Sequence, residues 1–257
     1  MRRPAPPAKR MTSEERSEPF VVEVGLATPI ALGPNGLWPA LDATLAFLQA
    51  EREGKGRIAA PFPRIVPPLT ALAEDIYAGT VLMPDPKSLR YLGFVSHPHT
   101  YARKAIRSLD PEAPAVLNNE GGGPFAALPR TFASWQVERA FWWGQGDREA
   151  VTALLLDEHG EPRLRAVGAQ RNIGYGRVSS IAVRPLRQGF RLVNAQGLLM
   201  RTVPVRLATE LGLPPDGDGL QAYIGTAAVR QPLWLAENQE RCLIPLPPDT
   251  AYMSGII

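Results

Sequence analysis

The spacing of apolar and polar positions changes several times along the chain, and each change predicts an element. Residues 20–26, FVVEVGL, are β-branched and apolar with one acidic break, which predicts a strand closed by the turn-forming Thr28 and Pro29. A Gly/Pro loop then leads into LDATLAFLQAERE, where Leu41, Leu45, Phe47 and Leu48 fall mostly on one face of a helix. Asp42 stands in the first turn of that helix, where an acid favours the dipole, a simpler reading than a catalytic one. Residues 54–68 read as loop, and residues 69–82 as a short helix or a pair of strands.

Regularity drops across residues 84–129, with prolines at 84, 86, 98, 111, 114, 124 and 129 and the triplet Gly121, Gly122, Gly123. Strands return at 131–133 and 136–143, the second ending in Phe141, Trp142 and Trp143. The turn GQGD follows, and its Asp147 is placed to cap a helix over 148–157 that buries Val151, Leu154 and Leu155. A glycine-rich loop then feeds a strand opened by Val178, Ile181 and Val183. Further on, residues 190–193 and 198–201 straddle NAQG, a hairpin signal with Gly197 at positive φ. Residues 204–207 lead into a short turn, residues 214–219 form an acidic Pro/Gly loop, and Tyr223 and Trp234 read as core.

The order strand, loop, helix at the start returns as strand, turn, helix, loop and strand in the middle. Two such halves make an α+β, ferredoxin-like (RRM-like) fold built on a split strand–helix–strand unit used twice. Residues 1–19, rich in Pro, Arg and Glu, have almost nothing apolar to bury and read as a disordered tail. Residues 20–257 then form a single domain, with 84–129 as an insertion and 190–257 as a C-terminal hairpin and extension.

Composition narrows the chemistry. The 257 residues are 45% hydrophobic, as in soluble globular proteins, and no window reaches the roughly 18 apolar residues that span a bilayer. The start MRRPAPPAKR has no apolar signal core, so a cytoplasmic protein without a membrane partner is expected. The single cysteine, Cys242, lies in the apolar run Cys242, Leu243, Ile244 and reads as a small buried residue. His97 and His99 flank Pro98 with no nearby acid, and His159 sits in the turn DEHG, so no metal site and no cofactor are expected. The formal charge is only +3, yet the 28 basic residues divide into 24 Arg and 4 Lys. Arginine is favoured where phosphate is gripped by a planar fork, while a GC-rich coding sequence would enrich it together with Ala, Pro and Gly.

The densest chemistry lies in RNIGYGRV. Arg171, Asn172, Gly174, Tyr175, Gly176 and Arg177 bring two guanidinium groups, an aromatic ring and two glycines into one short loop. Glycine lets backbone N–H groups approach a ligand, and the arginine fork suits phosphate, so the loop fits an RNA backbone. A Gly-x-Gly loop before a strand also serves as a plain turn or bulge. A second basic stretch, HTYARKAIR, places Arg103 and Arg107 four residues apart with Lys104 beside them, either a solvated helical face or one whose repulsion a polyanion relieves.

Taken in order, ATPIAL, LDATLAFL, GQGDREAVTALL, RNIGYGRVSSIAV, GLLMRTVPV and RQPLWLAENQERCLIP run from about Phe20 to the C-terminus. With these the sequence resembles the RAMP proteins of CRISPR–Cas systems, and among them the Cas-five-type subunit of type IV effector complexes. The resemblance implies a RAMP fold and a non-catalytic subunit of an antiviral ribonucleoprotein that binds the 5′ handle of the crRNA and caps the effector filament. It implies a backbone Cas-seven-like subunit as neighbour, a large or zinc-finger-type subunit as a further partner, and target DNA only within the assembled complex. It also makes residues 84–129 a thumb. Some RAMP relatives cleave precursor guide RNA through a His, Tyr or Lys. Here His97, His99, Tyr101 and Lys104 cluster in the thumb, which keeps a metal-independent endoribonuclease as the alternative. A small-molecule enzyme is the second alternative, although the sequence holds no nucleophile triad or phosphate-binding helix motif.

Overall fold

The computed structural model describes residues 17–32, 37–54, 65–97, 130–229 and 238–246. In chain order its strands are β1 (Ser17–Leu26), β2 (Ile30–Ala31), β3 (Ala71–Ala73), β4 (Ile76–Tyr77), β5 (Met83–Pro84), β6 (Arg90–His97), β7 (Arg130–Gln136), β8 (Arg139–Asp147), β9 (Val178–Pro185), β10 (Val203–Pro204), β11 (Ala222–Ala228) and β12 (Gln239–Pro245). The helices are α1 (Leu41–Arg52), α2 (Arg148–Leu155) and α3 (Val205–Ala208). The architecture is α+β.

The central sheet has the order β5-β8-β1-β9, with every pairing antiparallel. Period-two alternation along β1 divides its side chains between two faces. Phe20, Val22, Val24 and Leu26 are buried on one face, where Val22 lies opposite Trp142 and Val183, and Val24 opposite Ala140 and Ile181. Helices α1 and α2 cover this face, contributing Leu41, Leu45 and Leu48 from the first and Val151, Leu154 and Leu155 from the second. Complete burial of each such side chain favours the fold by roughly 1.5–3 kcal/mol. The opposite face carries Glu23, Phe141 and Trp143, with Arg139 and Arg184 at its margins. Arg184 pairs with Glu23, and Arg139 reaches Asp85 at 2.7 Å and Glu23 at 3.8 Å.

Local signals account for the helix ends. Asp147 caps α2 as its position in GQGD predicts, accepting the Ala150 N–H at 2.9 Å. The helix stops at Leu155, two residues early, because Leu156 turns extended and pairs with Pro162. Helix α1 has no side-chain cap; its Leu41 N–H instead donates to the Thr80 carbonyl at 3.0 Å.

A smaller sheet, β10-β12-β11, packs its own cluster around Leu199, Val203, Ala208 and Leu243. Cys242 on β12 is fully buried, as its apolar neighbours predict, and burial together with nearby Glu240 pushes its thiol up to about 11. Residues 190–201 turn back through Asn194 N–H to Leu198 O and Met200 N–H to Leu192 O, with Gly197 at φ +80°.

Other expectations change. β1 begins at Ser17, inside the expected tail; residues 1–16 lie outside the described residues. Residues 69–82 resolve into the β3–β4 pair and not a helix. The strands expected at 131–133 and 136–143 run instead from Arg130 and Arg139. The proline-rich segment opens with ordered structure: Pro84 lies in β5, and β6 pairs along β7 from Arg90–Gln136 to His97–Arg130. Tyr223 is 41% exposed on β11, outside the core; Trp234 lies outside the described residues.

Asp42 stands in the first turn of α1, as expected, and takes on a further role there. It is buried, and its Oδ2 takes an Arg201 Nη2 hydrogen bond at 2.9 Å across 159 residues. Arg201 also donates to the Tyr77 and Gly79 carbonyls. A first-turn acid suits the dipole, but burial demands a charge partner, and that partner decides its role here. Among the described residues no helix is long and apolar enough to cross a membrane.

Candidate nucleic-acid interface

The chain leaves α2 through a tight turn in which Asp157 Oδ1 accepts the His159 and Glu161 N–H groups at 2.9 and 2.8 Å. The Glu161 bond is the main cause that holds this carboxyl below its usual range. Arg163 follows, its Nε donating to Leu156 O at 2.9 Å. Residues 165–167 then run antiparallel to residues 176–178: Val167 N–H meets Gly176 O, and Val178 N–H meets Arg165 O, each at 2.9 Å. The glycine-rich segment is therefore the tip of a hairpin that continues into β9, an edge strand of the central sheet.

The tip is tied to the connection between β1 and β2. Ala169 N–H donates to Ala31 O and Gly176 N–H to Pro29 O, both at 2.7 Å, and Ala27 N–H donates to Arg177 O at 2.8 Å. The Thr28 hydroxyl serves both sides, donating to Gly174 O at 2.7 Å and accepting the Arg177 N–H at 2.9 Å. Thr28 and Pro29, which the sequence marks as a turn, thus anchor the loop.

The two glycines do different work. Gly176 is buried at φ +63°, and a Cβ there would come within 1.9 Å of the Val167 carbonyl oxygen, so only glycine fits. Gly174, at φ +97°, closes a short 3-10 turn, and a Cβ there would meet nothing within 4 Å. Its surroundings are open to a ligand, whereas Gly176 serves the fold.

Arg171, Asn172 and Arg177 are exposed, and Tyr175 is half-buried. The Arg171 guanidinium lies 5.4 Å from the centre of the Phe47 ring on α1, a cation–π contact that holds the charge at the surface. Phe47 is accordingly 38% exposed, although the helical pattern groups it with buried leucines. Among the described residues, neither Arg165, Arg171 nor Arg177 has a carboxylate partner. Sequence reasoning singles out Arg171 and Arg177 but misses Arg163 and Arg165. The signal is the alternation Arg163, Leu164, Arg165, in which a buried leucine stands between two exposed arginines.

A cleft of about 640 Å³ lies between Phe47 and Glu51 of α1 and residues 163–172, and Arg163, Arg165 and Arg171 line it. A neighbouring cavity of about 410 Å³ continues past Arg171 towards Asp42, Arg201 and Ala228. Arg103, Lys104 and Arg107, with His99 and Tyr101, lie outside the described residues; His97 ends β6. A comparison with protein-family models finds no match to this chain, and neither does a comparison with curated proteins.

Proposed function

We propose that this chain is a non-catalytic, RNA-binding subunit of a type IV CRISPR–Cas ribonucleoprotein that works in the cytoplasm, holds the 5′ handle of the crRNA and caps the effector filament. The observation that carries the reading is the tethered glycine-rich hairpin, which presents Arg171 and Arg177, without carboxylate partners among the described residues, beside a cleft lined by Arg163 and Arg165. Unpaired guanidinium groups along a groove are the electrostatic footprint of a phosphate backbone. Tyr175 adds an aromatic ring next to that path.

The strand order β5-β8-β1-β9, with α1 following β1 and α2 following β8, supports a ferredoxin-like RAMP reading. In that reading β5 and β8 are the inner hairpin of the fold, and the β6–β7 pair with residues 98–129 is the thumb inserted between them. The thumb meets the Cas-seven-like backbone subunit, Arg103, Lys104 and Arg107 add to the grip on RNA, and a large or zinc-finger-type subunit and target DNA join only in the assembled complex.

Co-expression with candidate neighbouring subunits and a repeat-derived RNA tests the reading. The expected result is a discrete small RNA copurifying with the chain, lost when Arg171→Ala and Arg177→Ala are combined. Purification of the assembled complex free of RNA, or undiminished RNA in the double variant, overturns it.

A further inference from the structure

Between residues 168 and 176 the backbone enters the left-handed region at Gly168, Gln170, Gly174 and Gly176. The glycines do so without a Cβ penalty. Gln170, at φ +56° and ψ +27°, is the exception, and a residue with a Cβ is strained there. Among the described residues the other such case is Asp75, between β3 and β4, and Asp is a type that turns accept in this conformation. The turn at 170–175 does not ask for a glutamine. Its hydrogen bonds run from the Ile173 and Tyr175 N–H groups to the Gln170 carbonyl, at 3.1 and 3.4 Å, and a glycine would offer the same carbonyl with less strain. What glutamine adds is a side chain, and Gln170 lines the cleft of about 640 Å³ together with Arg163, Arg165 and Arg171. It is half-buried, its carboxamide makes no hydrogen bond among the described residues, and neither amide atom is sealed from solvent.

A carboxamide presents an N–H donor beside a carbonyl acceptor. A phosphate only accepts, so it would use the donor and leave the acceptor unmatched, and the arginines of the cleft suit it better. The edge of an unpaired base offers an acceptor and a donor side by side and satisfies both. We propose that Gln170 is a base-reading residue, its carboxamide bonded to the edge of one unpaired base in a strand whose phosphates rest on Arg165 and Arg171. The backbone strain is then the cost of keeping an amide at the cleft wall. The inference rests on the reading of the loop as a phosphate site. A ribose 2′-hydroxyl, which also donates and accepts, is the competing source of such a bond.

Fluorescence anisotropy of the full-length chain with a short unpaired RNA containing all four bases tests the proposal. Each position is replaced in turn by an abasic residue and, in a second series, by its 2′-deoxy counterpart. For the wild type, one abasic position is expected to weaken binding roughly tenfold, within the range of a bidentate base contact. Gln170→Gly removes the amide and relieves the backbone, and Gln170→Ala removes the amide while keeping the Cβ. In both variants that position is expected to lose its effect while phosphate-driven binding persists, and the thermal transition of each confirms its fold. Wild-type binding that is indifferent to every abasic position, or an abasic effect that survives both variants, overturns the base reading and leaves the loop reading intact. A 2′-deoxy effect that vanishes in both variants, with no abasic effect beside it, moves the contact to the ribose and likewise overturns it. Failure of the wild-type chain to bind any RNA overturns the loop reading itself.

Discussion

Arginines on the helix-free face of the central sheet and those on the glycine-rich hairpin are equally exposed to water but differently accompanied. Arg139 and Arg184 keep 54% and 59% of their side-chain surface exposed, yet Glu23 and Asp85 stand against them. The fold neutralises that face from within. Arg165, Arg171 and Arg177 have no such partner among the described residues, and Arg171 rests on an aromatic ring that leaves its charge unspent. The difference separates cations that hold the sheet's edges together from cations available to a polyanion, a distinction that the nearly balanced net charge conceals.

Five variants break or sharpen this contrast. The largest effect belongs to the buried extreme of pairing. Asp42→Ala strands the Arg201 guanidinium in the interior and is expected to cost about 3–5 kcal/mol in denaturant unfolding. Next, Gly176→Ala drives a Cβ against the Val167 carbonyl in a left-handed conformation and is expected to cost on the order of 3 kcal/mol. Gly174→Ala, with open space around it, costs only about 1 kcal/mol, so equal losses at the two glycines would contradict their division of labour. The combined Arg171→Ala and Arg177→Ala variant leaves stability within about 0.5 kcal/mol. Its effect falls on RNA affinity, where the slope of log affinity against log salt becomes shallower by roughly 1.4 if both residues contact phosphate. Arg184→Ala is the smallest: under about 0.5 kcal/mol of stability and no change in RNA affinity or salt slope. A salt slope altered equally by Arg184→Ala would erase the contrast between the two faces.

Much of the frame is legible in the sequence because local chemistry dictates it. The alternation in FVVEVGL produces β1, Asp147 in GQGD caps α2, and the glycine in NAQG turns at positive φ. Less legible is whatever depends on distant partners. β5 has only two residues, one of them proline, and exists as a strand because β8 offers it a ladder. β6 lies in a stretch whose prolines suggest irregular chain, and its pairing with β7 supplies the order. Of the site, RNIGYGRV is visible directly because glycine and arginine are rare together at that density. Arg163 and Arg165 become visible only when the hairpin places them beside α1, and Asp42 changes meaning only once Arg201 arrives from far along the chain.

The Thr28 hydroxyl, bonded to Gly174 and Arg177 where the chain leaves the hairpin tip, bears on binding kinetics. With Gly176 and Ala169 also fastened to the β1–β2 connection, the tip holds its shape through backbone bonds that no ligand needs to form. Under the proposed function, a strand arriving at the tip meets a backbone whose shape is already fixed, so little conformational entropy is lost on the protein side. Encounter then approaches a rate governed by electrostatic steering, falling steeply with ionic strength. Thr28→Val removes the double hydrogen bond without touching Arg171 or Arg177, and stopped-flow measurement with RNA is expected to show slower capture, with much of the charge-driven attraction intact.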